Sequence, residues 1–117
     1  MLPRVEESSG PHFRGDDGGE NMMRGGFVYM MANRAYGVLY IGVTADIAAR
    51  VHQHKIGQGS RFCRLYGIDQ LVLVEQYPTI DEAITREKQL KHWERVWKIK
   101  LIEDSNPDWE DLSNYHR

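Results

Sequence analysis

Short runs of apolar residues predict the first elements of the chain. Two such runs, residues 27–33 and 37–43, are rich in Val, Tyr, Ile and Met, and polar or small residues separate them near positions 33–36. Runs of this composition around a short polar break are typical of a β-hairpin. Both faces of the two strands are largely apolar, so we expect the sheet to be covered or lined on each side.

Apolar residues at helical spacing predict a helix after the hairpin. Thr44 or Asp46 can cap a helix over residues 47–56, because their side-chain oxygens can accept from the first free N–H groups. Residues 58–68, which are basic, are expected to form an irregular or weakly helical connection. The core stripe of the predicted helix would be Ile47, Ala48 and Val51.

The remaining elements are a third strand and a long helix. Residues 71–77 form an apolar run that Pro78 stops, and residues 81–103 then predict a helix with a break near 93–96. The predicted element order is therefore β-β-α-β-α. Three tryptophans are expected to anchor the core and the tail: Trp93, Trp97 and Trp109.

Composition indicates one foldable domain. Residues 1–25 are rich in Gly, Ser, Pro and charge and predict a disordered extension, residues 26–113 predict the domain, and residues 114–117 a short tail. No apolar run approaches the ~20 residues that span a bilayer, so we expect no membrane partner. Cys63 is the single cysteine, which excludes an internal disulfide and fits a reducing, cytoplasmic location.

Charge is unevenly distributed along the chain. The net charge is −2, but residues 27–102 carry eleven Lys and Arg against seven Asp and Glu. A mildly basic middle can contact phosphates. The alternative is a solvated helix surface, which is the commoner meaning of lysines such as Lys98 and Lys100. The residues that we expect to contact nucleic acid are Lys55, Arg61, Arg64, Lys88 and Lys91.

Glu87 interrupts an apolar stripe. It lies three or four residues from Ala83, Ile84 and Leu90 on the predicted long helix, where a core-facing residue is expected. An unpaired buried carboxylate is costly, so it is usually paired, protonated or bound to a metal. With water and phosphate oxygens, it would suit Mg²⁺. The alternative is an exposed i,i+4 pair with Lys91.

Four further residues could carry chemistry. Antiparallel pairing would bring Tyr29 close to Tyr40, and a phenol can orient water or act as a base. Arg50 and His54 share one helix face, where an arginine can bind phosphate and a histidine can relay a proton. The alternatives are strand tyrosines that only pack and an exposed polar flank. His52 points away from His54 and is expected at the surface.

Taken together, these residues resemble the GIY-YIG nuclease superfamily. The resemblance spans residues 26–113 and is closest to small, single-domain bacterial members related to the excision-repair incision subunit and to intron homing endonucleases. The first triplet is Phe27-Val28-Tyr29 and the second, intact, is Tyr40-Ile41-Gly42. The other matching positions are Arg50, His54, Glu87 and Asn106.

The resemblance implies an α+β fold, with a small three-stranded antiparallel sheet flanked by helices, and one-metal hydrolysis of a phosphodiester. Glu87 would hold Mg²⁺, for which Mn²⁺ could substitute, and Tyr29 or Tyr40 would position or deprotonate water. Arg50 would stabilise the charge on phosphorus, and His54 would help to activate the tyrosine or the water. Gly42 and Asn106 would support the site. DNA is the favoured substrate over RNA, in structured or single-stranded form.

Several departures keep other functions open. The first triplet is Phe-Val-Tyr, and Val43 stands where some members carry a lysine. We also expect no second DNA-binding domain. One alternative is a nucleic-acid-binding or adaptor module with a vestigial site. Another is a protein-interaction module that uses the acidic tail and the exposed helix. A protein partner could also supply specificity to a nuclease of this size.

Overall fold

A computed structural model describes residues 6–8 and 25–115. The strands are β1 (Glu6–Ser8), β2 (Gly26–Ala32), β3 (Leu39–Thr44) and β4 (Gln70–Tyr77). The α-helices are α1 (Ile47–Lys55), α2 (Arg61–Tyr66), α3 (Ile80–Lys91) and α4 (Arg95–Ser105), and a 3-10 helix covers Leu112–Tyr115. Among the described residues, no helix is long and apolar enough to cross a membrane.

The sheet contains the three antiparallel strands that were predicted, in the spatial order β1-β3-β2-β4. The fold class is therefore confirmed as α+β with a small antiparallel sheet flanked by helices. The short strand β1 was not predicted, because it lies within the segment that we expected to be disordered. It pairs parallel to β3. The rest of that segment, and residues 116–117, lie outside the described residues.

Alternation of side chains along the strands divides the core into two layers. One face of the sheet packs against α3 and α4 and is formed by Val28, Met30, Ile41 and their neighbours. The opposite face packs against α1 and α2 and is formed by Tyr29, Met31, Tyr40 and their neighbours. Both faces are covered, as the apolar character of the hairpin indicated.

The helix α1 begins as predicted but buries a different stripe. The Asp46 side chain accepts a hydrogen bond from the Ala49 N–H at 3.1 Å and so caps the helix. Val51 and His54 are its buried residues, whereas Ala48 is exposed, which corrects the predicted stripe. Ala48 borders a cavity of about 310 Å³ between α1 and the tail, so this apolar position is left uncovered.

The later helices follow the predicted order with two differences. The connection after α1 contains a regular helix, α2, which Ser60 caps and which Gly67 ends at a positive φ of 66°. The predicted break in the long helix is confirmed, because α3 ends at Lys91 and α4 begins at Arg95. Trp109 is buried and pins the tail as expected, but Trp97 is 56% exposed and is not a core anchor.

Candidate catalytic site

The hydroxyl of Tyr29 is the centre of a buried polar cluster. Arg50 donates a hydrogen bond from Nε to the Tyr29 oxygen at 3.2 Å, and His54 Nε2 lies 3.4 Å from the same oxygen. Tyr29 is fully buried on β2, and His54 is 95% buried on α1. The cluster therefore joins the sheet to α1 through one phenol oxygen.

The register of the hairpin sets the position of both tyrosines. Tyr29 pairs with Gly42 across β2 and β3, and Tyr40 pairs with Met31 on the same side of the sheet. The Tyr29 and Tyr40 rings lie 6.2 Å apart between centroids, which confirms that the hairpin brings them together. A Cβ at Gly42 would lie 2.5 Å from the Tyr29 oxygen, so only glycine at this position leaves room for the Tyr29 side chain against β3.

The helix α1 supplies the other two members of the cluster. Arg50 and His54 lie at i,i+4 spacing on the face that looks towards the tyrosines, as predicted. The His54 ring packs edge-on against the Tyr29 ring and the Tyr40 ring, with centroids 5.9 and 5.4 Å away. Neither side chain belongs to an exposed flank, and His52 is exposed as expected.

Burial and charge define the protonation states of the cluster. Burial, and secondly the neighbouring Tyr40, raise the pKa of Tyr29 well above its ordinary value, although Arg50 opposes this shift. The phenol is therefore protonated at neutral pH. Burial is the largest single effect and lowers the pKa of Arg50, but the interactions with Tyr29 and Tyr40 together outweigh it and the net pKa is raised. The guanidinium therefore stays charged.

His54 is neutral at physiological pH. Burial, and secondly the charge on Arg50, lower the pKa of the imidazole to about 4. Its Nδ1 is buried and accepts or donates no hydrogen bond among the described residues, and a Cβ at Gly59 would lie 2.4 Å from it. Because a buried N–H without a partner is rare, the surroundings favour the tautomer with the proton on Nε2. Arg50 and His54 then both donate to the Tyr29 oxygen.

The lowered pKa of His54 predicts that stability rises with pH between about 4 and 6.5. In this window the unfolded chain binds a proton that the folded protein excludes, so acidification favours unfolding. The full effect of the shift is about 3 kcal/mol, since each pKa unit corresponds to about 1.4 kcal/mol. Thermal unfolding of the wild type and of His54→Gln across this range measures it. An identical pH dependence in both proteins would contradict the assignment.

Glu87 forms a second and separate part of the site. Its side chain is fully buried on α3, and neither carboxylate oxygen accepts a hydrogen bond, although Lys91 Nζ lies 3.5 Å from Oε2. Both interpretations of the sequence therefore hold in part: the residue is buried and it has the i,i+4 ion pair. Burial raises the pKa of the carboxyl, and the Lys91 charge opposes this rise.

The structure does not join Glu87 to the tyrosine cluster by any hydrogen bond or ion pair among the described residues. Ala83 and Leu90, its neighbours along the same helical stripe, pack on the face of the sheet opposite to Tyr29. The helix α3 contacts β2 and β3, which carry the two tyrosines. The predicted site thus consists of an aromatic cluster and a buried carboxylate that share these strands.

The chemistry of Glu87 fits one divalent cation. Two buried carboxylate oxygens without hydrogen bonds are the kind of ligand that Mg²⁺ takes. Within residues 6–8 and 25–115, no group of three or more His, Cys, Asp and Glu residues could hold a metal ion. The remaining ligands would therefore be water and substrate oxygens, as is usual for Mg²⁺.

The predicted supporting residue Asn106 has a structural position. It is buried at the end of α4, where Nδ2 donates to the carbonyls of Val72 and Glu110 at 3.2 and 2.9 Å. Oδ1 accepts from the Glu110 N–H at 2.9 Å. These bonds use both N–H groups of the amide and attach the tail to β4.

The five predicted nucleic-acid contacts differ in their availability. Arg61 and Arg64 are exposed on α2, and Lys88 is exposed on α3. Lys55 and Lys91 are instead engaged in ion pairs, with Asp111 and Glu87 respectively. The exposed face of α2 is therefore the clearest basic surface beside the cluster.

The positions of two further residues were not identified from the sequence. Lys98 is 98% buried on α4, where we expected a solvated face. Cys63 lies in the same core layer as Tyr29 and is close enough to raise the pKa of Tyr29 slightly. Only the spacing of Lys98 from buried Ile102, one helical turn away, could have indicated its burial.

Comparison with known proteins identifies the family of the chain. Residues 25–100 match the family described as the GIY-YIG catalytic domain. The chain belongs to the GIY-YIG family. UPF0213 proteins of Staphylococcus aureus strains Mu3 and N315 are each 37% identical to it over 78 residues, which cover 67% of this chain and 94% of theirs.

A solved structure is also similar. The solution NMR structure of a UPF0213 protein from Bacillus halodurans is 27% identical, with a TM-score of 0.49, and the match covers 79% of this chain and 97% of that one. Membership of the GIY-YIG family supports a nuclease-type enzyme that binds nucleic acid. Both triplet tyrosines, the arginine and the glutamate fall within the matched residues.

Proposed function

We propose that this protein is a Mg²⁺-dependent endonuclease that hydrolyses phosphodiester bonds in DNA. The observation that carries the proposal is the Tyr29 hydroxyl, which Arg50 and His54 hold from the side of α1. A buried phenol with two fixed donors is preorganised, and fixed dipoles at a reacting centre are a large source of rate enhancement.

Tyr29 positions the attacking water in this proposal. Because its oxygen receives the donors of Arg50 and His54, its own hydroxyl hydrogen is directed to a third partner. A water that accepts this hydrogen keeps its second lone pair for attack on phosphorus. Neutral His54 maintains the arrangement across physiological pH, since its pKa is only about 4. Tyr40, packed beside both rings, closes the cluster on one side.

Arg50 stabilises the negative charge that develops on the phosphate. Its guanidinium donates from Nε to Tyr29 and from Nη1 to Gln53 at 2.9 Å, which fixes its orientation. The guanidinium has five N–H donors, so others remain that can reach a phosphate oxygen. Half-burial strengthens this interaction by excluding water from one side.

Glu87 would hold the metal, and Mn²⁺ would substitute for Mg²⁺. When bound, the cation would neutralise phosphate charge and favour loss of a proton from water. Exposed Arg61 and Arg64 would contact the backbone of the substrate, because α2 carries no acidic residue and packs directly against the layer that contains Tyr29. Because these contacts are made to phosphates, affinity should fall steeply with salt.

Cleavage of a substrate panel tests this function. The panel contains duplex, single-stranded, flap and branched DNA together with RNA, each in Mg²⁺, in Mn²⁺ and in EDTA. We expect cuts in DNA that require either metal, and the substrate that is cut fastest identifies the preferred structure. Cleavage that persists in EDTA, or cleavage of RNA alone, would contradict the proposal.

A second candidate function is a nucleic-acid-binding or adaptor module with an inactive site. Two observations favour it: Val43 is 93% buried where some family members carry a lysine, and Glu87 has no exposed surface. Binding of DNA with no turnover in either metal would select this candidate. Binding that does not depend on salt, to a protein partner only, would instead select an interaction module.

A further inference from the structure

Asp111 connects three parts of the fold through one carboxylate. Its Oδ2 forms an ion pair with Lys55 at the end of α1. Its Oδ1 accepts from the N–H of Leu71 on β4 at 3.1 Å, and from the N–H and the hydroxyl of Ser113 in the tail at 3.1 and 2.7 Å. The carboxylate therefore connects the tail, β4 and α1 through hydrogen bonds and an ion pair.

The ion pair lies in the last turn of α1, directly after His54. This turn carries the imidazole that contacts Tyr29. Lys55, which pairs with Asp111, is the next residue along the chain. A cavity of about 310 Å³, bordered by Ile47, Val51 and Leu71, lies between α1 and the tail. Because packing on this side of α1 is incomplete, the ion pair between Asp111 and Lys55 contributes more to the position of the helix than it would in a filled interface.

Asp111 stays ionised in this environment. Burial raises the pKa of its carboxyl, but the ion pair with Lys55 and the bonds from Ser113 and Leu71 outweigh it, so the net pKa is lowered. Asp111 lies beyond residues 25–100, which match the family, so this carboxylate belongs to the part of the chain that follows the matched domain.

We propose that Asp111 is a positioning residue of the nuclease: through Lys55, it holds the last turn of α1 so that His54 and Arg50 keep their contacts with Tyr29. The expected effect of Asp111 on cleavage rests on the proposed function. Its expected effect on the pKa of His54 does not. It assigns Lys55 to the internal structure of the site, whereas a lysine that contacts DNA would need its Nζ free.

A double-mutant cycle separates these two roles of Lys55. Asp111→Asn keeps an oxygen for Leu71 and Ser113 but cannot pair with the lysine, and Lys55→Met keeps the aliphatic stem. We expect each variant to lower kcat about tenfold with KM unchanged, and the double variant to be no worse than either, because all three misplace the same helix turn. If Lys55 contacts DNA instead, Lys55→Met raises KM in a salt-dependent way and Asp111→Asn leaves kcat unchanged. That result overturns the proposal.

The pKa of His54, measured by NMR titration of its ring protons, is the second readout. We expect a pKa of about 4 in the intact protein, and loosening of α1 in Asp111→Asn or Lys55→Met should raise it towards the ordinary value of 6.5. An unchanged pKa in both variants overturns the proposal, whatever happens to cleavage. If the wild type cuts nothing, the proposed function fails and the titration alone decides the role of Asp111.

The chain contains a matched control pair. Lys100 and Asp104 form an exposed i,i+4 ion pair on α4, with Nζ and Oδ1 3.4 Å apart and both side chains more than 60% exposed. Lys100→Met and Asp104→Asn make the same chemical changes far from α1. Neither change should alter kcat or the pKa of His54, and an equal effect of the control pair would overturn the proposal.

Discussion

Glu87→Gln is expected to abolish metal-dependent cleavage and, without metal, to make the protein more stable. The carboxylate is fully buried and neither oxygen accepts a hydrogen bond, so its charge is poorly compensated by Lys91 alone. Glutamine has the same shape without the charge. Removing the charge removes the desolvation cost of the buried carboxylate, which we expect to exceed the loss of the partly exposed ion pair with Lys91 by about 1 kcal/mol. Loss of the metal ligand should reduce cleavage by about a thousandfold.

Two measurements check this prediction together. Cleavage of the preferred DNA gives the activity, and thermal unfolding with and without Mg²⁺ gives both stability and binding, because a ligand of the folded state raises its Tm. We expect Mg²⁺ to raise the Tm of the wild type but not of Glu87→Gln. Glu82→Gln is the control, since Glu82 is an exposed carboxylate on the same helix. A Mg²⁺-induced shift that survives in Glu87→Gln would place the metal elsewhere.

The arrangement of the hairpin could be predicted from the sequence because strand pairing follows simple rules. Once the turn near residues 33–36 is recognised, antiparallel pairing places Tyr29 and Tyr40 on one face, two positions apart in register. Helical spacing likewise placed Arg50 with His54 and predicted that Glu87 is buried. Each of these predictions depends only on local periodicity.

Other features depend on packing that periodicity does not contain. Ala48 occupies an apolar position of α1, but the cavity beside the tail leaves it exposed. Lys98 is buried because of where α4 packs, and its spacing from Ile102 is the only indication of this in the sequence. The helix α2 is only six residues long and is stabilised by Ser60 and by the burial of Cys63, so its propensity alone is weak.

The face of the sheet that the apolar stripe of α3 covers could not be predicted either. Spacing within α3 shows that Glu87 shares a stripe with Ala83 and Leu90, but not which face of the sheet the stripe covers. That choice depends on how the chain crosses over after β4, which is a property of the whole fold. The same holds for Asp111, whose partners Lys55 and Leu71 are 56 and 40 residues away in the chain.

Tyr29→Phe is expected to reduce cleavage by about a hundredfold to a thousandfold while the protein stays folded. The change removes a single oxygen from the centre of the cluster and leaves the ring in place between Tyr40 and His54. Arg50 Nε and His54 Nε2 lose their shared acceptor, so the water is no longer oriented and the guanidinium is no longer fixed. Two buried donors without a partner should also lower stability by about 1–3 kcal/mol.

Measurements of kcat and KM on the preferred DNA, with thermal unfolding, check both effects. The loss should be in kcat, because Tyr29 is fully buried and contributes little to binding the DNA backbone. Tyr36→Phe is the matched control: it removes a hydroxyl that donates to Glu103 on the far side of the fold, where the side chain is 58% exposed. Near-normal kcat in Tyr29→Phe, with a raised KM, would show that the cluster holds α1 in place and that the water is positioned by another group.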